Sequence, residues 1–159
     1  MLGVKTLLAG FLMAVVTTMT AANTLTLAVE VYRFESDPGL LKGISSEDQL
    51  SLIAGRRPMI SQKLELQPGV PAKSSTHIGA FTLTIDASVE PVKGATAMLQ
   101  VDFSLSEDVP VGPDVIPVTQ TVNTKRSLKP GQPSVLGSAQ LSSANGVANY
   151  QVIVANLVE

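Results

Sequence analysis

Two stretches of strict alternation stand out along the chain. Phe81, Leu83, Ile85, Ala87 and Val89 alternate with Thr82, Thr84, Asp86 and Ser88, and Ala97, Leu99, Val101, Phe103 and Leu105 alternate with Met98, Gln100, Asp102 and Ser104. Successive side chains of a strand point to opposite faces, so this period of two marks strands with one face in a core. A proline and a glycine in the short connection 91–94 predict that the two runs pair as an antiparallel hairpin. Setting Phe81 opposite Leu105 puts every large apolar residue on the same side.

Weaker patterns fill the rest. Leu25, Leu27, Val29 and Val31 predict a half-buried strand, followed by a turn-rich connection over 35–43 that holds Asp37-Pro38-Gly39. Ser46 precedes Gln49 by three residues, the spacing of a capping box, and Leu50, Ile53 and Ala54 follow at helical spacing. With Gly55 and Pro58 placed to stop it, a short helix over 46–54 is predicted, lying across a sheet. Residues 59–67 return to a strand with Ile60, Leu64 and Leu66 on one side, and 68–71 break it. The segment 107–117, with three prolines and a glycine, reads as a surface loop. Residues 118–128 read as a Thr-rich edge strand, 134–141 as a further strand after the turn at 129–131, and 142–146 as another turn. Residues 150–158 are apolar on both faces, as in a strand covered on both sides. The fold class predicted is all-β with one short helix, an antiparallel β-sandwich or partly open barrel of about eight strands.

The N-terminus changes the picture of where this domain works. A short basic start ending at Lys5 leads into an apolar run over 6–16, and Thr20-Ala21-Ala22 supplies small residues for a cleavage site. That order is the signature of a secretory signal peptide over 1–22, leaving 23–159 as a single exported β-domain. The alternative keeps 4–22 as a transmembrane helix, although the apolar core is shorter than the roughly 20 residues a span needs. The chain would then be a membrane-anchored accessory subunit of an integral membrane complex. The absence of cysteine excludes disulfides, thiolate zinc sites and a cysteine nucleophile. An exported chain of this kind fits a bacterial periplasm or outer envelope, or, if anchored, the inner membrane.

Charge and residue types exclude several functions. Eleven basic against thirteen acidic residues, with only Arg56-Arg57 and Lys125-Arg126 as basic pairs, leave no footprint for nucleic acid. Sugar platforms rely on aromatic faces, and the chain has no tryptophan and only Tyr32 and Tyr150 as phenols. His77 is the lone histidine. A metal site built on it would draw on Asp86 and Asp102, but His77 has the parity of the apolar face and Asp86 the opposite one, so they point apart unless a bulge at Gly79 swaps them. A serine nucleophile would find a single histidine as base and neither a Gly-x-Ser-x-Gly elbow nor a Ser-x-x-Lys pair. Glu90, Asp102 and Glu107 are the carboxylates that could pair for glycoside cleavage. No catalytic, metal or cofactor-binding residue is assigned, and no enzymatic activity is expected. A small-ligand or metal-binding role would use a pocket between sheet and helix, near His77 and the 107–117 loop.

Several segments together resemble a known family. Leu27-Ala28-Val29-Glu30-Val31, then Ile60-Ser61-Gln62-Lys63-Leu64-Glu65-Leu66-Gln67-Pro68-Gly69-Val70-Pro71-Ala72, precede the long hairpin. After it come Val118-Thr119-Gln120-Thr121-Val122-Asn123-Thr124, Lys129-Pro130-Gly131-Gln132-Pro133, Val135-Leu136-Gly137 and the closing apolar strand. This order resembles the secretin β-domain of outer-membrane secretion channels. The family's glycine-rich pore-wall hairpins, Pro-x-Leu-Gly lip repeats and ring-building domains have no match. The resemblance implies a secretin-like sheet scaffold without its own channel. The expected role is a non-catalytic structural or protein-binding module of the envelope, its partner another protein or a further copy, met through edge strand 118–128.

Overall fold

The computed structural model describes residues 24–90 and 96–159. The segment 1–22 and the connection 91–94 lie outside the described residues, so the predicted signal peptide or anchor and the predicted hairpin turn do too. Eight strands and one helix follow in the order β1 (Leu25–Ser36), α1 (Ser46–Ile53), β2 (Ile60–Leu66), β3 (Ala72–Ile78), β4 (Phe81–Glu90), β5 (Ala97–Val111), β6 (Asp114–Leu128), β7 (Ser134–Ala144) and β8 (Val147–Val158). They form two four-stranded sheets, β2-β1-β8-β7 and β3-β4-β5-β6, with every neighbouring pair antiparallel. The sandwich of the two predicted alternatives is the one adopted, and the sheets do not close into a barrel.

The alternating residues meet between the sheets. Leu27, Val29 and Val31 of β1, Leu83 and Ile85 of β4, and Leu99, Val101, Phe103 and Leu105 of β5 are all buried in one cluster. Tyr32 and Phe34 of β1, and Tyr150, Val152 and Val154 of β8, face the other way into a second cluster that α1 covers with Leu50, Leu52 and Ile53. Strand β8 is therefore buried on both faces, which accounts for its unbroken apolar run. Ser45, not Ser46, caps the helix: its Oγ accepts from the Asp48 N–H at 3.1 Å and donates to the Asp48 carboxylate at 2.8 Å. Gly55, at φ +77, carries the chain out of the helix.

Three sequence expectations need correction. The register of β4 and β5 sets Leu83 opposite Leu105 and Phe81 opposite Glu107, two residues from the predicted pairing. A shift of two preserves parity, so the core face is unchanged. Segment 107–117 is not a loop: β5 runs to Val111, and β6 begins at Asp114 after a turn at Gly112, φ +63, so the two strands make one long arm. Finally, β3 is an additional edge strand that the sequence does not announce. Its inward positions Ala72, Ser74 and Thr76 are small or polar, and Gln62 of β2 donates across the sandwich to the Ser74 hydroxyl.

Candidate functional site

Three surfaces stand apart from an otherwise solvated exterior. The first is the free edge of β6, the outermost strand of its sheet as predicted for 118–128. Beside it the sandwich gapes towards β7, leaving a cleft of about 370 Å³ lined by Gln120, Val122, Ala139, Gln151 and Ile153. The two edges meet further along, where the Arg126 guanidinium donates to the Val135 carbonyl. There Gly137 approaches Val122 so closely that a Cβ would stand 3.3 Å from its methyl group.

The second surface is the arm. Val111, Val115, Ile116 and Val118 are exposed on it, Val115 to 63%, and Ile78 and Val147 are exposed at the same end of the sandwich. Beyond Phe81, which pairs with Glu107, β5 has only β6 beside it, so the arm is a two-stranded ribbon. Such ribbons are marginal in water by themselves. The arm is anchored where it leaves the core: Glu107 pairs with Arg33 at 2.7 Å, and the Arg33 guanidinium lies 4.9 Å from the Phe81 ring centre. Arg33 also donates to Gln151 at 3.0 Å, and Gln151 donates to Gln120 at 2.6 Å.

The third surface is a cleft of about 380 Å³ between sheet and helix. Ala28, Glu30 and Tyr32 of β1, Val154 and Asn156 of β8, Leu50 and Ile53 of α1, and Pro133 line it. The Tyr32 hydroxyl donates to the Glu30 carboxylate at 2.6 Å. Burial, and then that bond to Glu30, push the Tyr32 phenol up to about 12. Asn156 Oδ1 is buried and has no hydrogen-bond partner among the described residues. The Arg56 guanidinium sits 4.7 Å from the Phe34 ring centre, and its Nε donates to the Leu52 carbonyl at 2.9 Å. A pocket between sheet and helix was expected from the sequence, but His77 and the arm do not line it.

The individually considered residues fall elsewhere. His77 is exposed on β3 opposite Thr82, its Nδ1 3.0 Å from the Thr82 hydroxyl. The hairpin turn at Gly79 reverses the chain, so the parity carried through it fails and His77 shares the outer face with Asp86. Asp86 does stand directly opposite Asp102, with Lys73 on its other side. Among the described residues no cluster of three or more His, Asp or Glu side chains could hold a metal ion. Glu90 pairs with Lys125, Asp102 accepts from Asn123, and Glu107 belongs to Arg33, so the three carboxylates have separate partners.

No family model matches the sequence, and no curated protein matches it. Among solved structures the chain is similar to the InvG secretin domain β-barrel from the Salmonella SPI-1 injectisome NC-base. The identity is 14% and the TM-score 0.46, over 86% of this chain and 62% of that one. The chain thus spans less than two thirds of the length of that neighbour. Among the described residues, no helix is long and apolar enough to cross a membrane.

Proposed function

We propose that this chain is a non-catalytic β-module of a bacterial cell envelope that binds another protein by strand addition on β6. The observation that carries the reading is the β6 edge itself. Among the described residues its backbone has no strand neighbour on one side, and it borders a cleft whose floor includes Val122 and Ile153. An added strand draws affinity from main-chain hydrogen bonds and specificity from alternate side chains set into such a cleft. Natural sheets usually blunt an exposed edge with proline, bulges or inward charges. Here Pro110 and Pro117 guard the arm and Arg126 closes the far end, but Thr119 to Thr124 carry no such device. The export signal read at 1–22 supports the envelope location, and the lack of a convergent catalytic cluster among the described residues supports a binding role.

A photo-crosslinking amino acid at Thr121, on the open strand, tests this against the same group at Gln100, on the solvated face of the same sheet. Within cells, a discrete protein adduct is expected at Thr121 and none at Gln100. Equal labelling at both positions, or none at either together with a strictly monomeric chain in light scattering, would sink the reading. Mass spectrometry of the same sample should find Asn23 as the first residue. Met1 there would instead favour the membrane-anchored alternative.

A further inference from the structure

We propose that the cleft beneath α1 binds a primary ammonium group carried on an apolar stem. The inference is independent of strand addition on β6, which lies in the other sheet. Glu30 stands opposite Val154, and Ala28 opposite Asn156, so Glu30 and Asn156 are diagonal neighbours across β1 and β8 on the face that α1 overhangs. Diagonal neighbours on a sheet face are about 7–8 Å apart, a span that a single donor group lying between two side chains can bridge. Both groups offer acceptors there. The Tyr32 hydroxyl occupies one carboxylate oxygen of Glu30 and leaves the other, and Asn156 Oδ1 is buried with no donor among the described residues. A buried acceptor without a partner carries a desolvation penalty that a ligand's N–H would remove.

The rest of the lining narrows the chemistry. Leu50, Ile53, Pro133 and Val154 form apolar walls suited to an alkyl stem, and a cleft of about 380 Å³ has the size of a small-molecule site. Arg56 also lines this cleft, with its guanidinium seated on the Phe34 ring, four residues along β1 from Glu30. Glu30 has no ion-pair partner among the described residues. At the Glu30 end, away from Arg56, a carboxylate ligand would meet two acceptors and a like charge. A neutral alcohol would supply one donor and no charge. A quaternary ammonium would supply the charge but no N–H for Asn156. An ammonium with three donors supplies both.

Titration of the purified chain with pentylammonium, followed by backbone amide NMR shifts, tests the site. Saturable shifts are expected at Glu30, Val154 and Asn156, with pentanol and pentyltrimethylammonium each binding about ten-fold or more weaker, the scale of one lost charge-assisted hydrogen bond. Glu30→Gln and Asn156→Leu should each weaken pentylammonium by a similar factor. An amide spectrum otherwise matching that of the unaltered protein in both variants guards against reading a collapsed cleft as a lost contact. Nα-acetyl-lysine N-methylamide then separates the sources: affinity equal to that of pentylammonium assigns the site to a peptide lysine, and much weaker affinity assigns it to free amines. Pentanol binding as tightly as pentylammonium, or Glu30→Gln binding like the unaltered protein, would overturn the proposal.

Discussion

Phe103 and Gln100 lie three residues apart on β5 and face opposite surroundings. Phe103 is 1% exposed in the inter-sheet core, while Gln100 is exposed on the outer face with Ser88 and Lys125 opposite it in the register. Phe103→Ala should cost about 3–5 kcal/mol, the range for aromatic truncation in a packed core. Gln100→Ala should cost less than about 0.5 kcal/mol. Urea melts of both variants check the ordering, and equal stability would contradict the assignment of faces. At this scale the sequence was legible wherever one face is apolar and the other polar, because parity then follows from pleat geometry alone. It was not legible at His77, where parity had to be counted across a reversing turn. Nor was it at Gln151, a polar residue 1% exposed within an apolar run. Its place is explained by Arg33 and Gln120, two partners far away in sequence.

Elements announce themselves by contrast, and two here have little. Strand β3 lies at a sheet edge and faces inward with Ser74 and Thr76, so no alternation of large apolar residues marks it. The prolines of the arm are loop signals in the sequence, yet the two within its strands, Pro110 and Pro117, are compatible with a ladder. Both fall on one alternating set of pairs, Asp108↔Pro117 and Pro110↔Val115, leaving Glu107↔Val118 and Val109↔Ile116 as the set able to exchange both backbone bonds. Helix α1 was legible in place and length but not in its cap, since Ser45 and Ser46 are both good capping residues. The geometry separates them: Ser45→Ala should cost about 1 kcal/mol through the lost bond to the Asp48 N–H, and Ser46→Ala, which caps nothing, a few tenths at most. Denaturant melts comparing the pair decide the matter. A larger loss at Ser46 would return the helix start to the position expected from the capping-box spacing.

The whole molecule depends on how two sheets stay registered when their ends diverge. The apolar core holds the middle, and polar side chains reach across the rims: Gln62 to Ser74, Arg126 to the Val135 carbonyl, and Arg33 to Glu107. Such links between distant strands carry no local sequence signal, which is why the sandwich could be predicted while its seams could not. At the arm end the two partners of the ion pair are unequal. Glu107 contributes one half-exposed ion pair, a contact worth about 1 kcal/mol or less. Arg33 contributes that pair, a bond to Gln151 and cover for the Phe81 ring, so its removal also strips one partner from a buried carboxamide. Arg33→Ala should therefore cost about 2–3 kcal/mol against about 1 kcal/mol for Glu107→Ala. Salt divides the two further: at about 1 M the Glu107→Ala penalty should nearly vanish, because a partly exposed ion pair is screened, while most of the Arg33→Ala penalty should persist. Urea melts at low and high salt measure both. Equal penalties that fall together with salt would mean that the ion pair alone ties the arm to the opposite sheet, and that Gln151 and Phe81 take no part in holding it.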